Sequence, residues 1–339
     1  MKISQAKALI KTIVENNVAL QAANNNDYLV PYLVSIPGLG KSTIIKDVAE
    51  ELGIENRVVI LAQFDAGELG GFPVVDKEND TYYRAKPFFM PTEGKGILFL
   101  DELPQAPVSN QNIAAQLVLE RRIGEHQLPD GWVVVCAGNP LSSRAGTNAM
   151  PSHLKDRLMP LEVEPDASSF REYALSKGFL PEVTSFINER PEWLSKFDPK
   201  SDASPSPRSW EKVNSVLKLG LDSSLEYFAL KGTIGEGAVT DFLGYLRVWK
   251  DLPKIEEVLA DPENHSIPES PSVLYALCSS LAHHTNKSNL RATIKYISRF
   301  PNKEFTAFCV KDLLARNPKL KAEKAIVDWF MSQGRELML

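Results

Sequence analysis

The sequence predicts an α/β protein: a parallel sheet built around a glycine loop, followed by a helical region. Three observations predict it. Short apolar runs alternate with helical patterns over the first 165 residues, which is how a parallel sheet with crossover helices is written. The first run, Val30 to Val34, feeds into Ser35-Ile36-Pro37-Gly38-Leu39-Gly40-Lys41-Ser42-Thr43, and a helical pattern, Ile44 to Leu52, follows. From Asp166 onward the runs give way to helices punctuated by proline.

Taken in order, Ile3, Ala6, Ile10, Ile13 and Val14 recur at helical spacing, predicting a helix over residues 3 to 22 that ends at Asn24-Asn25-Asn26-Asp27. Strand, glycine loop and helix then form the context of a G-x-x-x-x-G-K-[ST] phosphate loop, with Ser35 where the first glycine stands. In such a loop Gly38 and Gly40 admit a polyanion close to the backbone, Lys41 reaches the β and γ oxygens, and Ser42 sits on Mg²⁺. A glycine turn with no ligand is the plainer alternative.

Arg57 to Leu61 reads as a second buried strand and Ala66 to Gly70 as a short helix. Phe72 to Asp76 and Thr81 to Arg84 flank a polar stretch and predict a hairpin. Its aromatics either grip a substrate or pack the hairpin onto its own domain. Gly96 to Leu100 predicts a buried strand with Asp101 and Glu102 at its carboxyl end, where ligands bind in open α/β sheets. An Asp there can hold the water shell of Mg²⁺, and an adjacent Glu can orient or deprotonate a water; a strand ending in a polar turn is the alternative.

Ser109 to Arg122 predicts an amphipathic helix, its closing Arg121-Arg122 pair serving either as a C-terminal cap or as a subunit contact. A loop or second hairpin tip follows at Gly124 to Gln127, then a buried strand from Gly131 to Ala137. Asn139, at the end of that strand, holds an attacking water or a phosphate, or else makes an Asn-Pro turn with Pro140. A short helix closing at Leu154 to Leu158 and a short strand at Leu161 to Val163 complete the sheet. Arg157 is either a surface arginine or a finger reaching a neighbouring subunit's γ-phosphate. Helices are expected at Ser168 to Lys177 and Glu182 to Glu189, and another opens at Ser206-Pro207-Arg208-Ser209-Trp210 with a serine cap. Residues 222 to 339 read as helical, broken at Pro253, Pro262, Pro268, Pro301 and Pro318.

Composition narrows the class. Of 339 residues, 43% are hydrophobic and 24% charged, as in ordinary globular chains, and no apolar stretch is long enough to span a bilayer. The amphipathic start lacks a signal peptide's apolar block. Cys136, Cys278 and Cys309 stand far apart among apolar residues, which predicts buried, reduced thiols and a cytoplasmic setting. His283-His284 has no ligand spacing and reads as structural. The net charge is −5, yet Lys287 to Leu339 carries eleven Lys and Arg against five Asp and Glu. Lys287, Arg291, Lys295 and Arg299 form a stripe there, either a solvated helix face or a contact for nucleic acid or an acidic partner.

The order of these motifs resembles an AAA+ ATPase, and within that group the MoxR-like branch of bacteria and phages. Pro37 to Thr43 resembles Walker A, and Ile97 to Glu102 resembles Walker B. Ala137-Gly138-Asn139-Pro140 is similar to sensor 1 of that branch, His153 to Leu158 to its arginine-finger segment, and Ser206-Pro207-Arg208 to its sensor 2. Leu158 stands where Phe is common. Arg144 is a second candidate for the arginine acting in trans. The resemblance covers about residues 25 to 220.

It implies a P-loop NTPase core over 1–165, hairpin inserts near 72–84 and 123–128 leaning toward a central pore, a helical lid over 166–250 and an extension over 251–339. It also implies ATP and Mg²⁺ as cofactors. Pro37, Gly38, Leu39, Gly40, Lys41, Ser42 and Thr43 would hold the nucleotide, and Ser42 with Asp101 the metal. Glu102 would activate the water and Asn139 orient it, Arg157 from a neighbour would stabilise charge on the leaving groups, and Arg208 would couple nucleotide state to the lid angle. The expected assembly is a homo-hexamer that remodels a partner, in this branch often a protein with a von Willebrand A domain. A nucleic-acid-directed motor or loader, and a nucleotide-gated scaffold with little turnover, are the alternatives.

Overall fold

The computed structural model describes residues 1–140, 146–198 and 201–334. The chain forms two compact units, Met1–Asp166 and Ala167–Leu339.

The first unit runs α1 (Ile3–Ala22), β1 (Val30–Val34), α2 (Lys41–Leu52), β2 (Glu55–Ile60), α3 (Ala66–Gly70), β3 (Pro73–Asp76), β4 (Thr81–Arg84), β5 (Gly96–Asp101), α4 (Val108–Glu120), β6 (Arg122–Ile123), β7 (His126–Gln127), β8 (Trp132–Gly138), α5 (Ser152–Lys155) and β9 (Leu158–Glu162). Five strands make one parallel sheet in the order β2-β5-β8-β1-β9. The inner strands are apolar up to their carboxyl ends because both faces are covered. On β5 and β8, Ile97, Phe99, Val133, Val135 and Ala137 pack with α1 and α2. Their neighbours Leu98, Leu100, Trp132, Val134 and Cys136 face the opposite layer, built on α4. Burial pushes the Cys136 thiol up, so it stays protonated and inert.

Two expectations need correction at the sheet's margins. β2 is an edge strand whose Val58 is half exposed, not a buried one. The last strand begins at Leu158, which pairs with Val30 and is buried, so Leu158 belongs to the sheet and not to the preceding helix. Pro160 hid this from the sequence, since proline within a strand is tolerated at an edge, and β9 is an edge. Arg121 proves to be a local brace. Its backbone is left-handed (φ 54°), it donates to the carbonyls of Leu128, Pro129 and Trp132, and it stacks on Tyr28 at 5.0 Å. Arg122 lies on β6 and pairs with Glu120 at 2.7 Å.

Both hairpins form as two-stranded sheets, β3 with β4 and β6 with β7. They are joined at the base: the Arg84 amide donates to Glu125 Oε1 at 2.8 Å, and His126 Nε2 lies 2.7 Å from the Arg84 carbonyl.

The second unit is helical: α6 (Ala167–Ser176), α7 (Pro181–Glu189), α8 (Pro207–Lys218), α9 (Ser223–Lys250), α10 (Ile255–Ala260), α11 (Pro271–His284), α12 (Leu290–Ile297), α13 (Lys303–Arg316) and α14 (Lys324–Trp329). Phe186, Trp210, Phe242 and Tyr245 centre one core over α6 to α9, and Leu277, Tyr296, Cys309 and Leu313 centre another over α10 to α14. The prolines fall between helices or at their ends, as expected. Two breaks without proline were not foreseen: residues 285–289 separate α11 from α12, and α9 kinks at Gly235 (φ 81°), where a Cβ would meet the Ala203 carbonyl at 2.7 Å. In the basic stripe, Lys287 pairs with Glu323 at 2.7 Å and Lys295 with Glu263 at 2.5 Å. Arg299 donates to the carbonyls of Pro262 and His265. Three of its four cations are thus engaged within the unit. Among the described residues no helix is long and apolar enough to cross a membrane.

Candidate active site

Three adjacent strands deliver polar groups to one edge of the sheet. β1 ends in the glycine loop, β5 in Asp101 and Glu102, and β8 in Gly138 and Asn139. This is the carboxyl edge, where α/β sheets bind ligands. Gly38 (φ 82°) and Gly40 (φ 95°) both sit in the left-handed region, which L side chains avoid. Ser35 does not, so its backbone is one that any residue adopts, and the missing first glycine costs the turn nothing. Ser35 is buried, and its hydroxyl and carbonyl each lie 3.2 Å from Lys41 Nζ. Leu39 drops into the core beside Ile44 and anchors the loop.

Gly40 caps α2 without any side-chain hydrogen bond, and no acidic residue occupies the first turn. The leading amides of this twelve-residue helix therefore present a positive dipole end with no built-in anion. Around it, Lys41 Nζ lies 2.7 Å from Asn139 Oδ1, and Ser42 Oγ donates to Asp101 Oδ2 at 2.9 Å. The second contact joins the two groups that would share a divalent cation. A hydroxyl and a carboxylate, both hard oxygen donors, suit Mg²⁺. Thr43 and Glu102 are exposed. Glu102 holds a left-handed backbone (φ 56°), unusual for a non-glycine residue, and its amide donates to Asp101 Oδ1 at 2.9 Å.

Arg157 is exposed and immediately precedes Leu158, which pairs with the first residue of β1. It therefore sits at the opposite end of the sheet from its own loop, roughly 15 Å away at the rise of a strand. Arg208 occupies the first turn of α8 in the second unit, exposed, behind the Ser206 cap that accepts from the Ser209 amide. Arg144 lies outside the described residues.

Two supports escaped the sequence reading. Gly138 lets the turn after Glu102 approach β8: a Cβ there would lie 2.2 Å from Pro104 Cδ. A glycine directly at the end of an apolar run was the available signal. Asn148 ties the same turn from the other side, its amide reaching the Pro104 carbonyl at 2.6 Å and its side chain the Ala106 carbonyl at 2.9 Å. No local pattern announces that tie.

Strand order, loop and carboxylate edge together define a parallel α/β fold with a P-loop at the carboxyl edge of its sheet. No protein-family model matches the chain, and no curated protein matches it. Among solved structures it is similar to NtrX from Brucella abortus, solved in complex with ADP. That match has 14% identity and a TM-score of 0.42, and covers 98% of this chain and 68% of NtrX. It is also similar to RuvB from Thermotoga maritima, a Holliday junction branch migration motor, at 16% identity and a TM-score of 0.40, with 81% of each chain covered. Both scores lie below 0.5, so the fold is read from strand order and loop geometry and not from these overlaps.

Proposed function

We propose that this chain is a Mg²⁺-dependent ATPase that works as a ring, a hexamer by resemblance to MoxR-like proteins, and uses hydrolysis to remodel a partner macromolecule. The observation that carries the reading is the meeting of Ser42 with Asp101, and of Lys41 with Asn139, under the uncapped start of α2. The loop amides from Gly38 to Thr43 and Lys41 would bind the β and γ phosphates. Ser42 and Asp101 would hold Mg²⁺, which when bound neutralises charge across the phosphate oxygens. Glu102 takes the proton of the attacking water, and Asn139 orients that water. Lys41 would exchange its contact with Asn139 for phosphate oxygens, freeing the amide to do so.

The position of Arg157, far from its own loop, favours its use in a neighbour's site. Arginine fingers contribute on the order of 10³-fold or more to turnover. Arg208 would couple nucleotide state to a lid formed by the first helices of the second unit. A client carrying a von Willebrand A domain fits the MoxR-like resemblance. A nucleic-acid motor draws less support, because the basic stripe is largely paired internally.

Steady-state phosphate release tests the reading. Glu102→Gln should lower the Mg²⁺-dependent rate by about 10²-fold or more while leaving ATP binding in place. An unchanged rate removes Glu102 as the base. A wild-type rate indistinguishable from buffer would favour a nucleotide-gated scaffold.

A further inference from the structure

The aromatics of the β3–β4 hairpin stay more than half exposed, although the Phe72 ring lies beside Gly67 of α3. Phe72, Val75, Tyr82 and Tyr83 are 55%, 70%, 62% and 53% exposed. Val74 pairs with Tyr83 on one face and Val75 with Tyr82 on the other, so both faces are apolar. Isolated two-stranded ribbons are marginal in water, and contiguous exposed apolar surface marks an interaction site. The ribbon is nevertheless held in place, because Arg84 is bonded through its amide and carbonyl to the β6–β7 turn.

The rim of this surface is acidic. Asp76, Glu78 and Asp80 crowd the tip against Lys77 alone. Asp65 and Glu68 lie at the base of the ribbon on α3. Asp65 sits beside Phe72: a Cβ on Gly67 would be 3.2 Å from Asp65 Oδ1 and 3.1 Å from the Phe72 ring. Glu125 completes the rim from the second hairpin. The outer edge of β4 is also open in part. The Ala85 amide bonds inward to the Phe72 carbonyl, so the ladder alternation turns Arg84 and Tyr82 outward. Arg84 is closed by the β6–β7 turn. Tyr82 leaves one amide and one carbonyl for an added strand.

We propose that this hairpin docks an extended polypeptide rich in apolar and basic residues. Apolar side chains of the partner cover Val75 and Phe72, its Lys and Arg side chains lie over the tyrosine rings and pair with the acidic rim, and its backbone adds to the β4 edge. A nucleic acid, as a polyanion, meets the wrong charge here. This names the partner class for the ATPase reading above and rests on that reading for its purpose, but its test does not require turnover.

The experiment is fluorescence anisotropy on the full chain. Three probes are compared: a labelled peptide alternating Lys with Leu and Phe, the same peptide with Glu for Lys, and a single-stranded oligothymidylate. The Lys peptide should bind about tenfold tighter than either comparator. Val75→Ser with Tyr82→Ser should weaken it about tenfold or more, with the circular dichroism spectrum and unfolding midpoint unchanged because both side chains are exposed. Glu78→Lys with Asp80→Asn should narrow the gap between the Lys and Glu peptides. Equal binding of the Glu peptide, tighter binding of the oligonucleotide, or full binding by the Val75→Ser, Tyr82→Ser protein would each overturn the proposal. Phosphate release is measured on the same samples without peptide. Turnover without selective peptide binding sinks the docking surface alone. Peptide binding without turnover sinks the ATPase reading alone.

Discussion

At the residue scale, the site turns on what Lys41 touches. Among the groups its ammonium meets are Asn139 Oδ1 and the two oxygens of Ser35, which are neutral. Neutral partners can be exchanged for phosphate, whereas a carboxylate could not be without losing a full charge pair. Asn139→Asp should therefore weaken ATP binding about tenfold or more, while Asn139→Ala should bind ATP nearly as wild type and lose about 10²-fold in turnover. Isothermal titration and phosphate release read the two effects separately. The opposite ranking, with the Ala variant the poorer binder, would mean that Asn139 contacts the nucleotide directly. Glu102 shows a second feature of this scale, since its left-handed backbone turns the chain sharply where the strand ends.

At the element scale, the carboxylate turn is positioned by what it packs against. Pro104 rests on Gly138 with no room for a Cβ, and Asn148 bonds the same turn from the loop that follows. Gly138→Ala would push Pro104 away and drag Asp101 and Glu102 with it. It should cost about 1–3 kcal/mol of stability in urea unfolding, as overpacking does, and reduce turnover as well. A variant with unaltered stability would show that the turn yields freely. The strands differ in how openly the sequence announces them. β5 and β8 were plain because burial on both faces demands uninterrupted apolar runs. β2 and β9 are announced less openly because edge strands tolerate exposure and proline.

At the scale of the whole molecule, the first unit gathers the loop, Asp101 and Asn139 at one edge of its sheet, and Arg157 stands apart from them. Arg157 sits at the far end of the sheet, so a ring in which it serves the next subunit is the arrangement that would use it. Glu102→Gln and Arg157→Ala proteins should each be inactive alone. Mixed, they should regain a fraction of wild-type phosphate release, up to about one quarter for random assembly in a ring, because some interfaces then carry both intact groups. A mixture no more active than its parts would place Arg157 outside the reaction.

What the sequence determined by itself is the local chemistry: the glycine loop, the carboxylate pair ending a strand, the two hairpins and the switch to helices after residue 166. Each of these is written in a short window, by period, by turn residues or by apolar runs. Tertiary structure alone decided which of them meet. Ser42 and Asp101 are 59 residues apart, and Lys41 and Asn139 98 apart, yet each pair is in hydrogen-bond contact because β5, β8 and β1 are neighbours in the sheet. It also decided what stays uncovered. The exposure of the hairpin aromatics and the internal pairing of the basic stripe depend on packing partners distant in sequence, and no local pattern encodes those.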